Sequence, residues 1–277
     1  MASLQPHVRR AGEGPAVLCL HSSTSSSKQW ETLIEKMSGD YQVVAPDLYG
    51  YGRSPEWDGT RALALTDEID LLRPVLDNLC ERFHLVGHSY GAAVAFKIAL
   101  MFPQRVRSLV AYEPVLFNLL SAAADSPVAV DIGRMKDDVF GMVAARDLDG
   151  AARRFVDYWS GNSAYDRMSD WQRETVAKRM PKVVADFDAV MSNPSTLDDY
   201  RRLEIPTLFM YGARSPESTR LIAEWLGGVL PKAEVRGLLP LGHMGPLTHA
   251  DQVYSLIDRF IRRQPSGIPA HQLRHAR

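Results

Sequence analysis

The sequence predicts an α/β fold: a mainly parallel, doubly wound sheet interrupted once by a helical insertion. Three observations carry this. Short apolar runs alternate with stretches of helical periodicity, joined by short links. The stretch between the runs at 106–111 and 207–211 is too long for a simple crossover and shows helical periodicity only. Finally, 277 residues, 45% of them hydrophobic, suffice to bury one substantial core, or a core plus an inserted cap.

In chain order, a short strand near Pro6–Arg10 turns at Gly12-Glu13-Gly14-Pro15 into a strand over Ala16–Leu20, with room for one opening strand only. The serine-rich loop Ser22–Ser27 offers hydroxyls to cap a helix beginning near Lys28, because Trp30 and Leu33 resume helical spacing at once. A strand over Gln42–Ala45 ends at Pro46. Leu65, Ile69, Leu72 and Leu76 define one face of a helix over Leu63–Leu79, with Pro74 as a kink. Phe83–Val86 reads as a buried strand, Ala92–Leu100 as a helix and Val106–Ala111 as the next strand. Strands at Thr207–Tyr211 and Ala233–Leu238 flank a helix over Ser218–Leu230, and a helix over Ala250–Arg263 follows.

The insertion is predicted as five helices: Val130–Ala145, Gly150–Ser160, Ser169–Met180, Val183–Met191 and Leu197–Arg202. Phe140, Met142, Phe155, Tyr158, Trp159, Trp171, Met180, Phe187 and Met191 give it a large apolar inventory. Most of these residues hold the helices together, and a minority line a pocket that periodicity cannot assign. The chain thus divides into a core, 1–115 and 203–265, and an all-helical insertion, 116–202. The tail 266–277 lacks periodicity and is expected to be disordered.

Composition excludes several classes of function. A formal net charge of −1 leaves no basic surplus for nucleic acid. There is neither a leader-like apolar segment at the start nor a run of eighteen apolar residues, so a cytoplasmic location without membrane partners is expected. Cys19 and Cys80 read as free thiols. No cluster has metal-ligand spacing, and Gly50-Tyr51-Gly52-Arg53 lacks the Lys-Ser/Thr of a phosphate loop, so neither metal nor cofactor is expected. The partner expected is a small-molecule substrate; oligomeric state is left open.

The chemistry concentrates at Gly87-His88-Ser89-Tyr90-Gly91, between a strand and a helix of small residues. Two glycines let the backbone turn hard without side-chain clash, which raises the Ser89 hydroxyl above the sheet edge, and the following helix aims its N-terminal amides at the same point. Ser89 is therefore the candidate nucleophile. Its candidate base is His243, on a loop between the strand at 233–238 and the final helix.

These segments, with Val17-Leu18-Cys19-Leu20-His21-Ser22-Ser23 and Ala45-Pro46-Asp47-Leu48-Tyr49-Gly50-Tyr51-Gly52-Arg53-Ser54, resemble the α/β-hydrolase superfamily from about Pro6 to Arg263. The resemblance implies nucleophile, acid and histidine in that order, with an oxyanion hole from the backbone amides of Ser23 and Tyr90, and it makes the insertion at 116–202 a helical cap roofing the active site. His21 would brace the oxyanion loop, His88 would pack behind the site, and Asp47 would anchor the loop that follows it. Tyr49 and Tyr51 are expected to pack in that loop.

Two departures stand out. Ser22 replaces the glycine usual after the first histidine. Ser215, in Tyr211-Gly212-Ala213-Arg214-Ser215-Pro216-Glu217, occupies the position where many members carry the triad aspartate. A subset of the superfamily places the acid one strand earlier, which points to Glu113 at the end of the 106–111 strand; Glu217 is the alternative. The expected activity is a serine hydrolase cleaving a small, mostly apolar carboxylic ester through an acyl-enzyme. Lactone, amide or carbon–carbon bond hydrolysis by the same triad is a second reading, and a non-catalytic ligand receptor on this scaffold a third.

Overall fold

Apolar runs too short for helices become the strands of one seven-stranded sheet: β1 (Val8–Ala11), β2 (Ala16–Leu20), β3 (Gln42–Pro46), β4 (Phe83–His88), β5 (Val106–Tyr112), β6 (Thr207–Gly212) and β7 (Ala233–Leu238). The structure is a computed structural model and describes residues 4–265; the tail at 266–277 lies outside them. The strand order is β1-β3-β2-β4-β5-β6-β7, parallel throughout except for β1. The single opening strand therefore does not form a hairpin with β2. It runs antiparallel along β3, with Val8 opposite Pro46.

Side-chain alternation along the buried strands feeds two cores, one on each face of the sheet. Val17 and Cys19 of β2, with Val86, Val110 and Met210, pack against α1 (Glu31–Met37) and α10 (Ala250–Arg262). Leu18 and Leu20, with Leu85, Leu109 and Phe209, face α2 (Leu65–Asp77), α3 (Tyr90–Met101) and α8 (Glu217–Val229). Helix α10 shows the sequence logic plainly: Val253, Tyr254, Ile257, Phe260 and Ile261 form one buried stripe. Each fully buried side chain of this size contributes about 1.5–3 kcal/mol.

Between β5 and β6 the described residues form helices only. A 3₁₀ turn at Phe117–Ala123 is followed by α4 (Pro127–Ala144), α5 (Leu148–Ser160), α6 (Asp170–Met191) and α7 (Leu197–Arg201). The two helices expected over 169–180 and 183–191 are one: α6 runs 22 residues straight through Pro181. Proline removes one intrahelical hydrogen bond there, but Met180 and Val183 on either side of it, and Phe187 and Val190 beyond, are buried and hold the axis in place. Ser126, Asp147 and Ser169 cap the three long helices with side-chain oxygens. A short helix, α9 (Gly245–Thr248), which periodicity did not reveal, follows the His243 loop.

Candidate active site

The C-terminal ends of parallel strands share one rim, so residues just beyond β4, β5, β6 and β7 converge although they are far apart in sequence. Ser89 follows β4 with φ 55° and ψ −118°, a conformation unfavourable for any residue with a side chain. The flanking glycines make that turn feasible. A Cβ on Gly87 would lie 2.5 Å from Ala92 Cα, and one on Gly91 would lie 2.3 Å from the Leu20 carbonyl oxygen. The helix N-terminus is thereby pressed against two strand ends, with Ser89 at the apex.

His243 sits in the loop after β7 and meets Ser89 across the rim. Its Nε2 accepts a hydrogen bond from Ser89 Oγ at 3.1 Å, and its Nδ1–H donates to Glu113 Oε2 at 2.6 Å. The carboxylate fixes this tautomer, since only an N–H can face it. Glu113 follows β5, is fully buried and has φ 49°. Its other oxygen, Oε1, accepts from the Gly212 N–H at 2.6 Å and from the Ser215 hydroxyl. A buried carboxylate is costly unless several donors face it, and here three do. Glu217, by contrast, is exposed in the first turn of α8 and pairs with Arg220; it is not brought to the site.

The remaining histidines have separate positions. His21 donates through Nδ1 to the Ser22 carbonyl at 2.8 Å and accepts the Leu48 N–H on Nε2 at 3.0 Å, bracing two loops; burial pushes its pKa down to about 4. His88 points away from Ser89 and donates to the His243 carbonyl oxygen at 2.9 Å, with its pKa well below the ordinary value, chiefly through burial and then through the neighbouring His243. Asp47 accepts the N–H groups of Ser27 (2.6 Å) and Arg53 (2.9 Å) and so holds the loop after β3.

Ser23, Ser89 and Tyr90 share a narrow cleft with Phe117, Phe155, Trp159 and Phe187. Trp159 of α5 stacks on the His243 ring, centroids 4.2 Å apart with 29° between planes. Nothing in the sequence separated Trp159 from the other aromatics of the insertion.

The structure also contains a charged cluster that the sequence did not announce. Lys182 of α6 pairs with Asp186 one turn on and with Glu68 of α2 at 3.1 Å, all three buried. Burial works against the ammonium, but Asp186 and Glu68 together outweigh it and push its pKa up. Burial, with Asp186 adding to it, raises the pKa of Glu68. Asp186 Oδ2 accepts from Ser23 Oγ at 2.6 Å and from Tyr51 OH at 2.5 Å, and Glu68 Oε1 accepts from Tyr90 OH at 3.1 Å. The side chains of both residues expected to supply oxyanion amides are thus tied to one cluster. The only hint in the sequence was the i, i+4 spacing of Lys182 and Asp186. Tyr51, expected to pack within its own loop, instead bonds the insertion.

Among the described residues, no group of three or more His, Cys, Asp or Glu side chains is arranged to hold a metal ion, and no helix is long and apolar enough to cross a membrane. Cys19 is buried, Cys80 is exposed, and both are free thiols.

Comparison with known proteins agrees with this architecture. Over 265 residues the chain is 28% identical to a pimeloyl-[acyl-carrier protein] methyl ester esterase of Nitrosomonas europaea, covering 93% of this chain and 99% of that protein. It is 35% identical over 152 residues to lipase LipV of Mycobacterium tuberculosis, covering 53% of this chain and 52% of that one. Among solved structures, a thermophilic esterase from Thermogutta terrifontis superimposes with a TM-score of 0.71 at 21% identity, covering 93% of both chains. An enol-lactonase from Burkholderia xenovorans gives 0.69 at 16% identity, covering 93% of this chain and 96% of that one. The model of the alpha/beta hydrolase family matches residues 17–256. With most of its length inside that match, the chain belongs to the α/β hydrolase family.

Proposed function

We propose that the protein is a serine esterase that cleaves carboxylic esters through an acyl-enzyme, with Ser89 as nucleophile, His243 as general base and acid, and Glu113 as the triad acid. The observation that carries this reading is the continuous hydrogen-bond chain from Ser89 Oγ through His243 to Glu113. The names borne by the Nitrosomonas relative and by lipase LipV support the ester as substrate class.

In this reading Ser89 attacks the ester carbonyl carbon while His243 takes the hydroxyl proton on Nε2. The tetrahedral oxyanion is met by the backbone N–H groups of Tyr90 and Ser23, each worth about 3–4 kcal/mol of transition-state stabilisation. The carbon–oxygen bond then breaks and His243 returns the proton to the leaving alcohol oxygen. Water, deprotonated by His243 in its turn, attacks the acyl carbon, and the acid leaves as Ser89 recovers its proton. Glu113 holds the imidazole in the required tautomer and stabilises the imidazolium. Helices α4–α7 act as a cap that shields the reaction from bulk water, with Trp159 covering His243.

The test is labelling with a fluorophosphonate probe alongside turnover of p-nitrophenyl acetate. Wild type should be labelled at Ser89 and hydrolyse the ester, and Ser89→Ala should do neither. Labelling at another serine, or an unlabelled and inactive wild type, would overturn the reading.

A further inference from the structure

Apolar space does not end at the Ser89 cleft. Phe117 and Phe187, with rings stacked at 6.0 Å and 15°, line that cleft and also a second groove of about 250 Å³. Their other neighbours in the groove are mainly small or aliphatic: Ala129, Ile132 and Gly133 of α4, and Met191 at the end of α6. The inner residues Phe117, Ile132 and Phe187 are buried, whereas Ser121, Ala124 and Met191 at the outer end are exposed. The groove therefore opens to the surface and is divided from the Ser89 cleft by Phe117 and Phe187.

We propose that this groove is the acyl-chain subsite, so that the substrates are esters joining a medium-length, uncharged, unbranched acid to a small alcohol. The proposal rests on the esterase reading above and deepens it. Three observations carry it. First, Phe117 and Phe187 line both groove and cleft, so this one pair of rings is the partition between them. Second, Gly133 stands inside a helix, where glycine is unfavourable relative to alanine, and a Cβ added there would meet nothing within 4 Å. The backbone therefore makes no steric demand for glycine there, and only a side chain larger than alanine at this position would fill the groove. Third, the leaving oxygen must lie near His243 Nε2 to receive its proton, and Trp159 covers that imidazole without lining the groove. The acyl side of the ester is the one that faces Phe117 and Phe187.

The walls also specify what the chain carries. Lys136, the cation among the groove-lining residues, is bonded to Asp137 at 2.7 Å and lies 5.0 Å from the Phe140 ring centroid, so its charge is already answered. An apolar chain loses nothing against such walls. A chain bearing a carboxylate within the groove would be desolvated and would have to draw Lys136 from its pair with Asp137.

The experiment compares wild type, Gly133→Ala and Gly133→Leu on p-nitrophenyl acetate and octanoate, and on ethyl octanoate against octyl acetate. Thermal melts report folding. Wild type should prefer octanoate to acetate by about tenfold or more in kcat/KM, a gain typical of a few methylenes in an apolar pocket. Gly133→Leu should abolish that preference and leave acetate turnover unchanged, while Gly133→Ala stays close to wild type. Should Gly133→Leu fail to fold, Ala129→Leu blocks the same groove from the preceding turn of α4. Undiminished octanoate preference in a folded, blocked variant would overturn the proposal, as would equal wild-type rates on both chain lengths. A blocked variant that loses octyl acetate turnover in place of ethyl octanoate turnover would give the groove to the alcohol and likewise overturn it. If wild type cleaves no ester and Ser89 is not labelled, the esterase reading fails and the subsite falls with it. Acetate turnover without chain-length dependence sinks the subsite alone.

Discussion

The hydroxyl of Ser215, beyond β6, donates a hydrogen bond to the carboxylate of Glu113, beyond β5. The residue standing where many relatives carry an aspartate therefore steadies a carboxylate that reaches the same imidazole from the neighbouring strand. Glu113→Gln should lower kcat by about 10⁴-fold with the fold intact, because the wrong histidine tautomer is then favoured. Ser215→Ala should lower it by about tenfold, the scale of one hydrogen bond to a charged group. Glu217→Gln should have no effect. Steady-state kinetics on a short-chain ester checks all three, and Ser215→Asp in the Glu113→Gln background should recover activity.

Gly91→Ala should destabilise the protein by at least about 1–3 kcal/mol, since its Cβ would meet the Leu20 carbonyl oxygen at 2.3 Å and that backbone cannot yield without distorting β2. Urea unfolding followed by circular dichroism measures this. A variant as stable as wild type would show that the helix can shift away from the sheet.

Lys182→Met should cost about 3–5 kcal/mol, because Asp186 and Glu68 would keep buried charge without their cation. The double variant Lys182→Met/Asp186→Asn should regain part of that loss. Unfolding midpoints of the two variants and wild type provide the comparison.

Acid should weaken the fold well before its carboxylates are protonated. Burial pushes the pKa values of His21 and His84 down to about 4 and that of His88 well below normal. From pH 6.5 downward the unfolded chain takes up protons that the folded chain refuses, so stability falls as pH falls. The loss is roughly 1.4 kcal/mol per pH unit for each histidine, and levels off for His21 and His84 below about pH 4. Chemical unfolding between pH 7 and 4 tests the slope, and His84→Gln should make it shallower.

Elements whose structure follows from local chemistry were legible in the sequence. The Gly87–Gly91 turn is one case: the glycines announce a backbone that a Cβ would obstruct, and Ser89 lies at its apex. The alternating strands, the helical character of the insertion and Glu113 as a carboxylate at a strand end were legible for similar reasons. What could not be read depends on which surfaces meet across the fold. Helical periodicity puts Trp159 on an apolar face, but only the docking of α5 decides that this face covers His243. Asp186 and Lys182 likewise look like an ordinary surface pair until α6 turns them toward Glu68. The break expected between Met180 and Val183 does not form, because the burial that carries α6 past Pro181 is not a local signal.

The Lys182–Asp186 pair has a bearing on how this scaffold can be recombined. An α6 without both residues would leave Glu68 buried opposite no cation and Ser23 and Tyr51 without their acceptor. The insertion α4–α7 is therefore not an interchangeable module. A chimera that imports a new α6 must also carry over Lys182 and Asp186, or rewrite Glu68, Tyr51 and Ser23 with them.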